Sequence, residues 1–394
     1  MKYKLLTTSL LIGASLQIYA LDFNATAKAL ASESLTMKTS RLENRASIEE
    51  LKGENSLPPL DAEFGYLWGT GETINKWNVS VSQSMDWPGA YVARRKGLAA
   101  TERALAAAER ASLVAKTLEI KLAMIDLVAA KRNFEISSML NDTISQMIEL
   151  VRKGAEEGEI TKLDLNKLEI ERIAVSKQLS EDKRSIATAL SSLESLCGRN
   201  IDDIAVQLTE FPDEPLLSVE GYELLLTDAN PAIFEAKQNI LSAKSLAKAE
   251  KQSLFPGLSI GYTYENEVVD KWHGVTVGVS IPLFSSRGNA KAAKLRAESA
   301  EVEATLTAIQ ETATMRAERN QALILFKQIE QYRAVFAMDE NMKLLKKAYR
   351  AGQLTTHEYI GDLNYFVLAK REYIDAQYQY ALIMARLNRL KAFE

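Results

Sequence analysis

Two hydrophobic periods alternate along this 394-residue chain. Over most of it, apolar residues recur every three or four positions, as in helices with one buried face. Over two short windows they recur at every second position, as in strands with two unlike faces. In the first window Ala62, Phe64, Tyr66 and Trp68 share one parity, and Glu63 and Gly65 hold the other. After Gly69-Thr70-Gly71, Trp77, Val79 and Val81 alternate with Asn78, Ser80 and Ser82. The second window is cleaner. Leu258, Ile260, Tyr262 and Tyr264 alternate with Ser259, Gly261 and Thr263; Val275, Val277 and Val279 alternate with Thr276, Gly278 and Ser280. The expectation is two β-hairpins, at 61–86 and 257–284.

Helical pattern flanks each hairpin. Residues 21–55 read as a helix stopped by Pro58-Pro59; 219–253 read as another, broken at Asn230-Pro231 and stopped at Phe255-Pro256-Gly257. Behind the hairpins, 89–153 and 289–350 predict two very long helices, the first with Asp86 as a cap and Pro88 in its first turn. Each ends in a glycine turn and returns, over 161–197 and 355–392. The turns align without a gap, Gly158 with Gly352, Ile160 with Leu354 and Thr161 with Thr355. The register then holds along both returning helices. Leu165, Leu168, Arg172, Val175, Leu179, Asp182 and Ile186 match Tyr359, Asp362, Phe366, Ala369, Tyr373, Ala376 and Tyr380 as seam positions. The chain therefore reads as one unit used twice, 21–207 and 208–394, behind a leader.

That leader is residues 1–20: Lys2 and Lys4, an apolar run, then Ile18-Tyr19-Ala20 as a signal-peptidase site. No Cys stands directly after its apolar run, so no lipidated Cys is expected, and no later run has the ~20 apolar residues of a membrane helix. With 48 Lys and Arg against 52 Asp and Glu, and no basic aromatic-rich face, nucleic acid is not an expected partner. The lone Cys197 precedes Gly198, a helix C-cap, and reads as a small filler. His273 and His357 lie far apart and read as solvated loop residues. With no nucleophile–base pairing, phosphate loop or zinc spacing, neither catalysis, a cofactor nor a metal site is expected.

The strands narrow the reading. Their apolar faces carry no charge, and their length approaches the ~9–11 residues of a tilted membrane strand. Aromatics cluster at their ends: Trp68, Trp77, Tyr264 and Trp272 near the loops, Trp87 and Phe284 near the helices. That is the pattern of the two aromatic girdles of a membrane barrel in outer-membrane lipid, with a half-buried soluble sheet as the alternative. Two hairpins cannot close a barrel, because open edges do not survive in lipid. A homotrimer would supply about twelve strands.

Helix, hairpin, long helix, glycine turn and returning helix, twice over, resemble the TolC-like outer-membrane efflux family along essentially the whole mature chain. Tyr349-x-x-Gly352-x-Leu354-Thr355 and the hairpin exits Val81-Ser82-Gln83 and Val279-Ser280-Ile281-Pro282-Leu283-Phe284 carry the resemblance. It implies a mainly α protein with membrane β: a trimeric twelve-stranded β-barrel in the outer membrane, continued by an α-helical tunnel across the periplasm. It also implies a periplasmic adaptor protein at the helical tips and an inner-membrane transporter, of resistance-nodulation-division type or similar, supplying small molecules or metal ions. The tips are Gly158, Glu159, Ile160, Thr161 and Gly352, Gln353, Leu354, Thr355. Tyr349 matches the family's gate tyrosine, and Asp164, Glu358 and Asp362 its acidic gate positions. Leu354 replaces a basic gate residue and Gly361 an acidic one. The compact chain and Asp86-Trp87-Pro88 look closer to the heavy-metal efflux branch. The competing functions are a soluble periplasmic coiled-coil adaptor or scaffold, and a polypeptide-secretion channel.

Overall fold

The computed structural model describes residues 22–70, 75–157, 161–267, 270–281, 286–336 and 341–393. The two period-two windows form one antiparallel sheet in the order β1-β2-β3-β4, with β1 Leu60–Leu67, β2 Lys76–Met85, β3 Gly257–Asn266 and β4 Lys271–Ser280. Although far apart in sequence, the hairpins join along β2 and β3, where Val81 faces Tyr262 and Met85 faces Leu258. Register carries the alternation across the whole sheet. Ala62, Val81, Tyr262 and Val275 make one row of the apolar face; Asp61, Ser82, Gly261 and Thr276 make the adjacent row of the polar face. β1 and β4 are the outer strands of this sheet.

All strand–helix junctions lie at one end of the sheet, because Leu60 faces Gln83, Met85 faces Leu258 and Gly257 faces Ser280. From that end α3 (Pro88–Glu156) runs unbroken for 69 residues, on the order of 100 Å at ~1.5 Å per residue. Its upper part is alanine-rich, with Ala100, Ala104 and Ala107 buried. Small residues let α7 (Pro231–Gln252) approach closely enough for Thr101 Oγ1 and Ser242 Oγ to sit 2.6 Å apart. Lower down, Ile136, Leu140, Ile144 and Val151 of α3 pack with Leu168 and Val175 of α4 (Lys162–Cys197) and with Tyr359, Leu363 and Val367 of α10 (Thr356–Leu387). The second outgoing rod is α8 (Ser286–Phe336) and α9 (Asn341–Arg350). Gly198 caps α4 with a φ of +68°, the left-handed backbone that glycine adopts freely.

Several elements differ from expectation. The 21–55 helix is two helices, α1 (Phe23–Glu33) and α2 (Leu35–Glu54), because the Ser34 hydroxyl donates to Ala31 O at 2.8 Å and accepts from the Met37 amide. Asp86 does not cap α3: Trp87 occupies the cap position without a side-chain bond, and the Asp86 carboxylate holds Arg94 at 2.6 Å. α3 continues to Glu156 rather than ending at 153. The inter-repeat stretch contains a short helix, α5 (Asp202–Gln207), followed by α6 (Val219–Ala229). Lys131 pins α5 to the middle of α3, donating to the carbonyls of Ala205 and Leu208.

Candidate functional site

The tip of the second repeat is built from its own backbone. Gly352 has a φ of +69°, its amide bonds Tyr349 O at 3.0 Å, and the Gln353 amide bonds Ala348 O at 3.0 Å. These two bonds close a Schellman end and turn the chain. Thr355 then opens α10 with a reciprocal capping box: the Glu358 amide donates to its hydroxyl at 3.2 Å, and the Thr355 amide donates to Glu358 Oε2 at 2.8 Å. The ring of Tyr349 packs at a tilt of 41° against the buried ring of Tyr359, centroids 4.8 Å apart, and its hydroxyl lies 3.2 Å from Thr356 Oγ1, not on a carboxylate. Leu354 is half-buried against the same cluster, so local packing takes up an apolar side chain expected at the surface.

In the first repeat Gly158, Glu159 and Ile160 lie outside the described residues. Thr161 caps α4, accepting from the Asp164 amide at 3.2 Å and donating to Asp164 Oδ2 at 2.7 Å. The Thr161 hydroxyl, seconded by Lys167, holds the Asp164 carboxyl below its usual range. The Thr355 amide and then its hydroxyl do the same for Glu358. Two of the three expected gate carboxylates, Asp164 and Glu358, are thus ionised acceptors engaged with their own helix ends. Asp362 is exposed on α10, and Leu363 beside it takes the seam. Arg172 is likewise exposed.

At the sheet, Phe64, Trp77 and Tyr264 form an aromatic row on the apolar face, with ring centroids 6.3 and 5.4 Å apart. Trp68 packs edge-on against Tyr66 at 5.2 Å. Trp272 does not join them. Register sets it opposite Glu265 on the polar face, and His273 meets Tyr264 instead. Nearness to a loop suggested the grouping, but strand parity decides the face. Phe284 lies outside the described residues. Trp87 stacks on Phe255 at 5.7 Å, a partner the sequence reading had used only as a helix stop. On the polar face Lys76 bridges Glu265 at 3.0 Å and Glu267 at 3.2 Å.

Two buried polar networks complete the picture. Lys121, 2% exposed, pairs with Glu214, which also accepts from Asn24 at 3.1 Å and Asn388 at 2.9 Å. This knot ties α1, α3, the inter-repeat stretch and the end of α10 together. Nearer the tips, Asp182 of α4 accepts from Ser137 of α3 and from Arg371 of α10 at 3.0 Å. A carboxylate among aliphatic seam positions was the available signal; its partners, on other helices, were not. Among the described residues no helix is long and apolar enough to cross a membrane, and no cluster of potential metal ligands occurs.

No protein-family model and no curated protein sequence matches this chain. Solved structures do. The Campylobacter jejuni CmeC outer membrane channel superposes with a TM-score of 0.76 at 14% identity, over 94% of this chain and 85% of that one. The MtrE outer membrane channel of Neisseria gonorrhoeae, in its open state, gives 0.75 at 15%, over 94% and 88%. The outer membrane protein VceC of Vibrio cholerae gives 0.74 at 16%, over 93% and 95%. The fold is therefore the TolC-like fold of outer-membrane channels, helical rods carrying a small antiparallel sheet.

Proposed function

We propose that three copies of this chain form the outer-membrane exit duct of a tripartite efflux system, carrying small molecules or metal ions delivered by an inner-membrane transporter through a periplasmic adaptor. The observation that carries this reading is the two-faced sheet. One face is apolar from Leu258 to Tyr264 and from Val275 to Val279, the other is small and polar, and the rods leave from one end. Backbone groups at the outer strands need partners in lipid, and equivalent strands of neighbouring copies supply them. Exposed apolar stripes support the same assembly: Leu163, Ile170 and Ile173 step by seven and three along α4, with Tyr365 and Leu368 on α10. The polar faces would line the lumen, and the glycine turns would receive the adaptor with Tyr349 nearby as the plug. The channels of this fold named above support an outer-membrane duct over an enzyme.

Paired arginine substitutions test the faces. Val277→Arg sets a charge in lipid, costing up to about 2–4 kcal/mol near the midplane, and should block assembly. Gly278→Arg points into the lumen and should assemble but change conductance in planar bilayers. Identical behaviour of the two variants contradicts the reading.

A further inference from the structure

The slab where sheet gives way to helix holds two features that the duct itself does not require. The first is the Trp87–Phe255 stack, with Trp87 38% and Phe255 49% exposed. Trp87 continues the parity of Val81 and Met85 just past the last row of paired residues, and Phe255, between α7 and β3, stacks on it there. Half-exposed aromatics at such a boundary match the headgroup level of a bilayer.

The second is a set of exposed cations within one to three helical turns of that stack. Arg95 and Lys96 lie ~10–12 Å into α3 at ~1.5 Å per residue, Arg287 and Lys291 lie at the start of α8, and Lys248 and Lys251 at the end of α7. Among the described residues none of the six has a carboxylate at ion-pair distance. The acids of the same slab are Asp86, held by Arg94 at 2.6 Å, Glu49, held by Lys52 at 2.8 Å, and Glu298, held by Lys294 at 3.5 Å, with Glu50, Glu54, Asp61 and Glu250. In sequence, Arg94-Arg95-Lys96 reads as an ordinary solvated face; the fold sets it beside an aromatic boundary and beside cations from two other helices.

We infer that this collar binds the phosphate headgroups of anionic phospholipids in the leaflet facing the helical tunnel, with the aromatic stack fixing its depth. The inference rests on the membrane reading above. A Lys or Arg held close to an anionic surface strengthens binding roughly fivefold, and the effect fades beyond about one Debye length.

Native mass spectrometry of the detergent-purified full chain, exchanged into phosphatidylglycerol or phosphatidylcholine, tests it. The wild-type protein should retain phosphatidylglycerol preferentially, and this preference should collapse in about 0.5 M salt. A combined Arg95→Gln, Lys96→Gln, Arg287→Gln and Lys291→Gln variant should lose at least roughly tenfold of the preference. Lys271→Gln, at the opposite end of the sheet, should leave it intact. An unchanged preference in the fourfold variant overturns the collar, as does an equal loss in the Lys271→Gln protein. So does a fourfold variant that changes only the ion selectivity of the channel, which would place these cations in the lumen. Equal retention of both lipids by the wild-type protein removes the collar alone; retention of neither removes the membrane reading with it.

Discussion

α3 packs against α1, α2, α4, α7 and α10, whereas α8, which follows the second hairpin as α3 follows the first, touches α6, α7 and α10. Their surfaces differ accordingly. α3 buries Lys121 and Ser137 in polar networks, while α8 leaves Leu295, Val302, Leu306 and Ile309 exposed along one stripe. The returning helices diverge in the same direction: Asp182, the buried carboxylate of α4, aligns with buried Ala376 of α10. One rod thus organises the chain and the other leaves apolar surface exposed. Polar pins specify which helices meet, and the second rod leaves an apolar stripe exposed.

The largest effect should come from the knot on the first rod. Lys121→Ala leaves Glu214 buried without its cation and should destabilise the protein by about 3–5 kcal/mol in denaturant unfolding. Arg319→Ala, on the second rod, removes one hydrogen bond to Leu217 O and should cost about 1 kcal/mol. Equal costs would erase the distinction between the rods. Burial lowers the Lys121 ammonium from its ordinary value despite the pull of Glu214, so the pair specifies a contact at an expense in solvation. Next, Asp182→Ala copies the second repeat's residue into the first. It strands the Arg371 guanidinium and should cost about 1.5–3 kcal/mol, with a non-additive Asp182→Ala/Arg371→Leu double variant.

Much of this was legible in the sequence, for reasons that separate local from distant physics. The change of period at residue 60 and the glycine turn at Gly352 are local, and the structure has both of them. Trp272 was misgrouped because loop proximity was read ahead of parity. The Ser34 break was missed because helix-favouring residues flank it on both sides. The partners of Asp182 and Lys121 could not be read, because each network needs helices whose adjacency only the tertiary fold decides. At the tip, the nearest donors to Asp164 and Glu358 are the caps three residues before them, a contact the gate positions alone did not reveal.

Smaller effects belong to the tips. A Cβ at Gly352 would meet no neighbour within 4 Å, so the main cost of Gly352→Val is the left-handed backbone, about 1–2 kcal/mol, at the turn. Export should fail while trimers still reach the membrane; normal export and normal adaptor cross-linking would remove the docking role. The smallest effect is with pH. Asp164 and Glu358 are both held below the ordinary carboxylate range in the folded protein, so their caps hold fully at and above that range and loosen as the pH falls through the lowered values. The protection of amides at the starts of α4 and α10, corrected for the pH dependence of intrinsic exchange, should therefore be unchanged from pH 7 to about 5 and fall only in stronger acid. Loosening near neutrality would show that the carboxylates serve something other than the caps.

The assembly itself is tested most directly by the protomer count in detergent. Light scattering on the purified protein, corrected for bound detergent, should give three copies per particle and a protein that leaves the membrane only with detergent. A monodisperse single copy, or extraction in buffer alone, would contradict the duct.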